Sequence, residues 1–197
     1  YRTLGQWSVL GPFFPDDEMA APGTVLDTEF PGEGAAVAGD TNPNTIYVRR
    51  DGKRLDFRTM VQADKTEFVN LSAALGADNR AVAYVTRTIT REQGGAAILR
   101  LGVDYWMKVW INGELAYRLD QGHGSPKPNR HLVKVNLRPG ENVVTFKVLA
   151  GTKGFGFWAN LAESDEQGER AAGRPSRDAQ LYDPAIQLRD PYEYTYW

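Results

Sequence analysis

Alternation of apolar and polar residues is the clearest signal in this chain. Met107, Val109 and Ile111 alternate with Lys108 and Trp110, and Asn112-Gly113 follows at once. A period of two is what a half-buried strand requires, and Asn-Gly supplies the positive backbone angles of a tight hairpin. The pattern predicts a strand with Met107, Val109 and Ile111 toward the core, then a turn, then a return strand through Tyr117. Val133, Val135 and Leu137 share one face of the next run. Val144, Phe146 and Val148 form a matching face beyond Arg138-Pro139-Gly140-Glu141, which predicts a second hairpin. Phe155, Phe157, Ala159 and Leu161 extend the alternation into a last strand.

Earlier segments carry the same signature less regularly. Residues Gly5 to Gly11 read as a short strand stopped by Gly11-Pro12, with Trp7 turned inward. The β-branched run Ala81–Ile89 suits a pleated surface, and Gln93-Gly94-Gly95 turns it into Ala96–Leu101. Thr45–Arg50 and Leu55–Val61 are strand-like pieces joined through Asp51-Gly52. Phe68–Gly76 fits one helical turn or a curved edge strand. Around residues 15–44 no period is sustained, which predicts a long insertion of packed surface loop or short edge strands. Beyond Leu161 the chain turns charged and is interrupted by Gly168, Gly173 and Pro175. It ends on an aromatic cluster, Tyr192 to Trp197, that either wraps back onto the domain or belongs to a neighbour. The expected organisation is a β-sandwich module over 1–161 and a charged linker with an aromatic extension over 162–197.

Many short strands with glycine-rich turns, and no regular strand–helix alternation, predict an all-β domain of two packed antiparallel sheets. Periodicity alone does not separate that sandwich from a small barrel.

Composition narrows the function classes. At 197 residues the chain is one decorated domain, and 25 acidic against 23 basic side chains leave a charge of -2. Such a balance gives no general attraction to a phosphate backbone, so nucleic acid is not an expected partner. Cys is absent, which excludes disulfides, thiolate metal sites and a cysteine nucleophile, and two His cannot build a three-histidine metal centre. No apolar run approaches the roughly 20 residues needed to cross a bilayer as a helix, so no membrane insertion is expected.

Several segments together resemble jelly-roll modules of the galactose-binding-domain-like superfamily, found attached to polysaccharide-active and other exported bacterial proteins. They are WSVLGPFF from Trp7, LGVDYWMKVWINGEL from Leu101, LRPGENVVTFKV from Leu137 and GFGFWANL from Gly154. Gly102, Asp104, Lys108, Trp110, Asn112 and Gly113 match the pattern of such modules. Tyr105 stands where a second acidic residue is common, and Trp106 where glycine or another small residue is usual. The resemblance implies a β-sandwich, jelly-roll, galactose-binding-domain-like fold. It also implies a secreted, periplasmic or cell-surface bacterial protein whose adjoining catalytic domain lies elsewhere in the parent chain.

A sugar offers apolar C–H faces and a rim of hydroxyls, so a site for it needs an exposed ring beside polar groups. Trp106 is the leading candidate ring, with Tyr105 beside it and Asp104 to accept hydroxyls. Asn129, Arg130 and His123 lie in the Gly- and Pro-rich segment 121–131, where Arg130 would engage an acidic substituent through its planar fork. A sheet-face groove of Trp110, Trp158, Lys108 and Tyr84 is the alternative. No glycosidase carboxylate pair, nucleophile elbow or Glu-x-x-His motif is identifiable, so the fragment is read as noncatalytic. No cofactor is required. The resembled jelly rolls sometimes carry structural calcium, for which Asp16, Asp17, Asp27 and Glu29 are the candidate oxygen ligands. The expected function is recognition of a poly- or oligosaccharide that keeps an attached enzyme on its polymer, against the alternative of a structural or protein-docking accessory domain.

Overall fold

The computed structural model describes residues 2–17, 19, 21–121, 126–163 and 180–182. His123 and the Tyr192–Trp197 cluster lie outside the described residues, as does most of the 162–197 extension.

Two antiparallel sheets pack face to face. The first, sheet I, contains β1 (Arg2–Thr3), β6 (Phe68–Asn70), β8 (Gly95–Asp104), β11 (His131–Leu137), β13 (Gly156–Glu163) and β14 (Gln180–Tyr182). Its order is β1-β13-β8-β11-β14; β6 also pairs with β13, and the short β14 joins β11 in parallel. The second, sheet II, contains β2 (Gln6–Phe13), β5 (Thr59–Gln62), β7 (Val82–Arg91), β9 (Trp106–Ile111), β10 (Glu114–Leu119) and β12 (Gly140–Leu149), in the order β10-β9-β12-β7-β2-β5. From β7 to β13 the chain changes sheet at every connection except the β9–β10 hairpin. That wrapping is a jelly-roll sandwich, and with two separate sheets the barrel alternative falls.

Alternation places the core where the sequence expects it. Met107, Val109 and Ile111 face inward with Val133, Val135, Leu137, Val144, Phe146 and Val148. At the centre Trp7 is fully buried, its ring 4.8 Å from Phe146 and 5.4 Å from Phe157. Asn112 (φ 52°) and Gly113 (φ 85°) form the expected turn between β9 and β10. The Asn112 side chain then bonds Val143 N (2.9 Å) and Asn142 Oδ1 (2.9 Å), locking that turn to β12.

Three local expectations change. The second predicted hairpin is an arch: β11 lies in sheet I and β12 in sheet II, so their apolar faces meet across the core instead of lying side by side. The opening strand continues through Gly11-Pro12 to Phe13, with a register irregularity between Leu10 and Phe13 absorbing the interruption. Phe68–Gly76 is both things at once, β6 followed by α3 (Leu71–Leu75), whose first turn is capped by Asn70 accepting from Ala73 N.

The insertion is more ordered than its aperiodic sequence suggests. It holds two six-residue helices, α1 (Pro22–Asp27) and α2 (Glu33–Ala38), and the ribbon β3 (Tyr47–Val48) with β4 (Arg54–Leu55) follows it. Val25, Leu26, Ala36, Leu55 and Phe57 from this region bury Leu10, Phe13, Val82, Tyr84 and Leu149 of sheet II in a second apolar cluster. Helices this short gain little on their own, so tertiary packing sustains them.

Candidate functional site

The insertion closes the outer face of sheet II. Tyr84 is fully buried beneath it; its hydroxyl donates to Glu33 Oε2 (2.6 Å) and accepts from Phe30 N (3.2 Å). Lys147 is equally buried and donates to Leu26 O (3.0 Å), Thr28 O and Glu33 Oε2 (2.9 Å). Burial pushes the Lys147 ammonium below its ordinary pKa, while Glu33 pulls it back. Desolvation, reinforced by Glu33, pushes Tyr84 far above its own. Lys108 reaches out to Asp27 at 3.2 Å and sits 5.4 Å above the ring of Trp110, which is only 8% exposed. A sugar could reach Tyr84 only if the insertion moved.

Trp158 points the other way. In β13, Phe157, Ala159 and Leu161 enter the core, so Trp158 and Asn160 lie on the outer face of sheet I. Trp158 therefore shares no groove with Trp110, Lys108 and Tyr84. The half-buried Trp158 ring is 4.5 Å from half-buried Phe68, and its indole N–H donates to Thr66 O (2.9 Å). It lies over Gly102, its register partner on β8. A methyl group there would meet Trp158 Cε3 at 3.2 Å and collide with the carbonyl of Lys127, so glycine lets ring and loop settle onto the sheet.

The segment after residue 125 thus folds toward Trp158. Asn129 (φ 57°) brings its Oδ1 to 3.5 Å from Asn160 Nδ2, and Glu67 Oε2 approaches the same nitrogen at 3.3 Å. Arg130 is half-buried and makes no ion pair among the described residues. The structure therefore brings Asn129 together with Trp158, residues that the sequence reading assigned to different sites. Glu67, Phe68 and Asn160 were not singled out from sequence. Asn160 was accessible to it, being two residues from Trp158 on an alternating strand; Glu67 and Phe68 arrive from a distant segment.

Asp104, Tyr105 and Trp106 form the corner between β8 and β9. The Tyr105 hydroxyl donates to Thr152 O (3.0 Å), and its ring lies against Gly151. The half-buried Trp106 ring is 5.0 Å from Tyr105 and packs against the second apolar cluster. Both rings thus rest largely on the protein itself. Asp104 differs: it is half-buried against Gly154, no hydrogen bond to its carboxylate is seen among the described residues, and burial raises its pKa. It faces outward on the same strip as Trp158, opposite Gly156; the Gly102–Trp158 pair lies two register positions along the strands and the Arg100–Asn160 pair four.

Three of the four carboxylates considered for calcium, all but Glu29, are engaged in ion pairs. Asp16 pairs with Arg50, Asp17 with Arg80 (3.8 Å), and Asp27 with both Lys108 and Arg118. Burial opposes ionisation of Asp27, but hydrogen bonds from Arg118 and Lys108 prevail and lower its pKa. Among the described residues no three His, Asp or Glu side chains gather as a metal-binding group. No described helix is long and apolar enough to cross a membrane.

No protein-family profile and no curated protein matches the sequence. Solved structures do. The β-glucosidase from Kluyveromyces marxianus in complex with glucose is 21% identical over 47% of this chain and 12% of that chain, with a TM-score of 0.35. A family 35 carbohydrate binding module from Clostridium thermocellum is 16% identical over 48% of this chain and 75% of the module, at 0.35. A Ruminococcus gnavus β-glucuronidase is 13% identical over 76% of this chain and 21% of the enzyme, at 0.38. These alignments are partial, and at such TM-scores they carry no function across; the fold assignment rests on the strand order above.

Proposed function

We propose that this chain is a noncatalytic carbohydrate-binding module that holds an attached enzyme of an exported protein on a poly- or oligosaccharide. The observation that supports it most is the half-buried Trp158–Phe68 pair on the outer face of sheet I, bordered by Glu67, Asn129 and Asn160. Rings give the C–H face of a sugar its apolar contact, and the amide and carboxylate groups meet its hydroxyls. The strip from Asp104 through Trp158 to Asn160 spans four residues of strand, about 14 Å, so it suits several linked units better than one. Binding there raises the effective concentration of a tethered enzyme at its polymer without bond cleavage.

Calorimetry and Trp fluorescence across a panel of neutral and acidic oligosaccharides test this reading. Saturable binding that falls about tenfold or more in Trp158→Ala, and persists in Trp110→Phe, supports it. No response across the panel would shift the assignment to a structural docking domain.

A further inference from the structure

Two rings on a strand face can make a plateau or a trough, and the glycines beneath them decide which. Trp158 lies over Gly102 on β8, and Phe68 leans over Gly156 on β13, where a Cβ would collide with its ring. Loops rise on either side. Thr66, whose carbonyl holds the Trp158 indole N–H at 2.9 Å, precedes β6, which pairs with β13 on the side away from β8. On the β8 side the carbonyl of Lys127 covers Gly102. Lys65, Thr66, Lys127 and Pro128 are exposed, whereas both rings between them are half-buried. Asn160 Nδ2 ties the two flanks down, meeting Glu67 Oε2 of one at 3.3 Å and Asn129 Oδ1 of the other at 3.5 Å. The ring planes also diverge by 49° at a centroid separation of 4.5 Å. One flat surface therefore cannot lie on both rings, and the flanks hold it off either.

We infer that this site takes single polysaccharide chains, soluble or in swollen regions of a solid, and rejects the flat faces of crystalline polysaccharide. The inference rests on the carbohydrate reading above and names its substrate class by physical state. A free chain can enter between the flanks, run along β13 and turn its C–H faces to ring planes of different tilt. Chains in a crystal are locked side by side by hydrogen bonds, so none can drop into the trough or rotate without leaving the lattice. A reader of flat faces needs the opposite arrangement, with rings coplanar, raised and clear of their neighbours.

The experiment compares physical states of one chemistry on the full chain. Cellulose, chitin, mannan and amylose are each offered as crystalline powder and as swollen or soluble polymer, with depletion of free protein as the readout. Calorimetry on the matching oligosaccharides, and on soluble polysaccharides that do not crystallise, completes the series. Swollen or soluble forms are expected to bind about tenfold or more tighter than the crystalline form of the same polymer. The matching oligosaccharide is expected to displace the protein from the swollen form. Crystalline powder should retain no more wild-type protein than Trp158→Ala, with circular dichroism checking that the variant is folded; Phe68→Ala serves if it is not. A crystalline form that retains the protein as strongly as its swollen counterpart, with retention lost in the ring variant, overturns the inference and leaves the carbohydrate reading standing. Absence of saturable binding to every form overturns both.

Discussion

Replacing Glu33 by Ala would test how the insertion is fastened over sheet II. The carboxylate accepts from Lys147 Nζ at 2.9 Å and from the Tyr84 hydroxyl at 2.6 Å. Side-chain exposure is 0% for Lys147 and 17% for Glu33. A hydrogen bond to a charged group contributes about 1.5–3 kcal/mol, so losing both would cost roughly 3–6 kcal/mol. Two facts favour the lower end: Lys147 keeps the carbonyls of Leu26 and Thr28, and Glu33 is partly solvated. The expected loss is about 3 kcal/mol, at the bottom of the range for stripping one partner from a buried pair. At this chain length that lowers Tm by roughly 6–12 °C. Urea unfolding followed by Trp fluorescence gives the free energy, and Lys147→Met combined with Glu33→Ala gives the coupling. Because an apolar replacement no longer buries an ammonium, the double variant should be more stable than Glu33→Ala alone. The pH dependence has a defined sign. Lys147 has a folded pKa below its unfolded value, so between the two the unfolded chain holds more protons and stability rises with pH. Glu33→Ala deepens that depression, and its deficit should shrink as pH approaches about 10. A loss below about 1 kcal/mol, or strictly additive losses in the double variant, would refute the view of this network as the fastening.

Other outcomes follow from the same geometry. Asp104 has a folded pKa raised by burial, so its favourable contribution is complete below the unfolded value of about 3.9 and is lost as pH rises through the folded one. Asp104→Asn should therefore raise Tm at pH 7, with the gain vanishing below about pH 4, as scanning calorimetry at the two pH values would show. Asp27 has a lowered pKa, so its stabilising pairs with Arg118 and Lys108 are complete above about pH 4 and are lost as pH falls through the folded value. Limited proteolysis with an acid-active protease should then cut the insertion earlier below that pH, and Asp27→Asn should show the same sensitivity at pH 5. A Cβ on Gly154 would overlap the Asp104 carboxylate, so Gly154→Ala should destabilise by about 1–3 kcal/mol, with Asp104→Ala in the same chain restoring most of it.

Closing one outer face has a functional consequence. Sheet II carries Trp110, Lys108, Tyr84 and Lys147 on its outside, an inviting set for a ligand, yet Lys108, Tyr84 and Lys147 hold the insertion in place. Three groups of the resembled pattern, Lys108, Trp110 and Asn112, thus serve packing and turn locking here. The Trp158 strip on sheet I remains as the ring-bearing surface on which the binding proposal rests.

Local chemistry in the sequence determined which residues face inward and where the tightest turn falls. Met107, Val109 and Ile111 alternate with polar neighbours, Trp7 sits in an apolar strand, and Asn112-Gly113 accepts the left-handed angles a two-residue turn needs. Those signals act within a few residues, so they survive without knowledge of the partner strand. Tertiary structure alone decided the rest. Alternation says that a side chain lies opposite the core, but not which sheet its strand joins or what packs above it. Trp110 and Trp158 therefore read alike in sequence and end on opposite outer faces, one under Lys108 and one beside Phe68. The β11–β12 segment reads as a hairpin because its turn is local, whereas its partners, β8 for one strand and β7 and β9 for the other, are distant in the chain. The insertion has no period because its short helices answer to the shape of sheet II, and packing against that surface gives them their order.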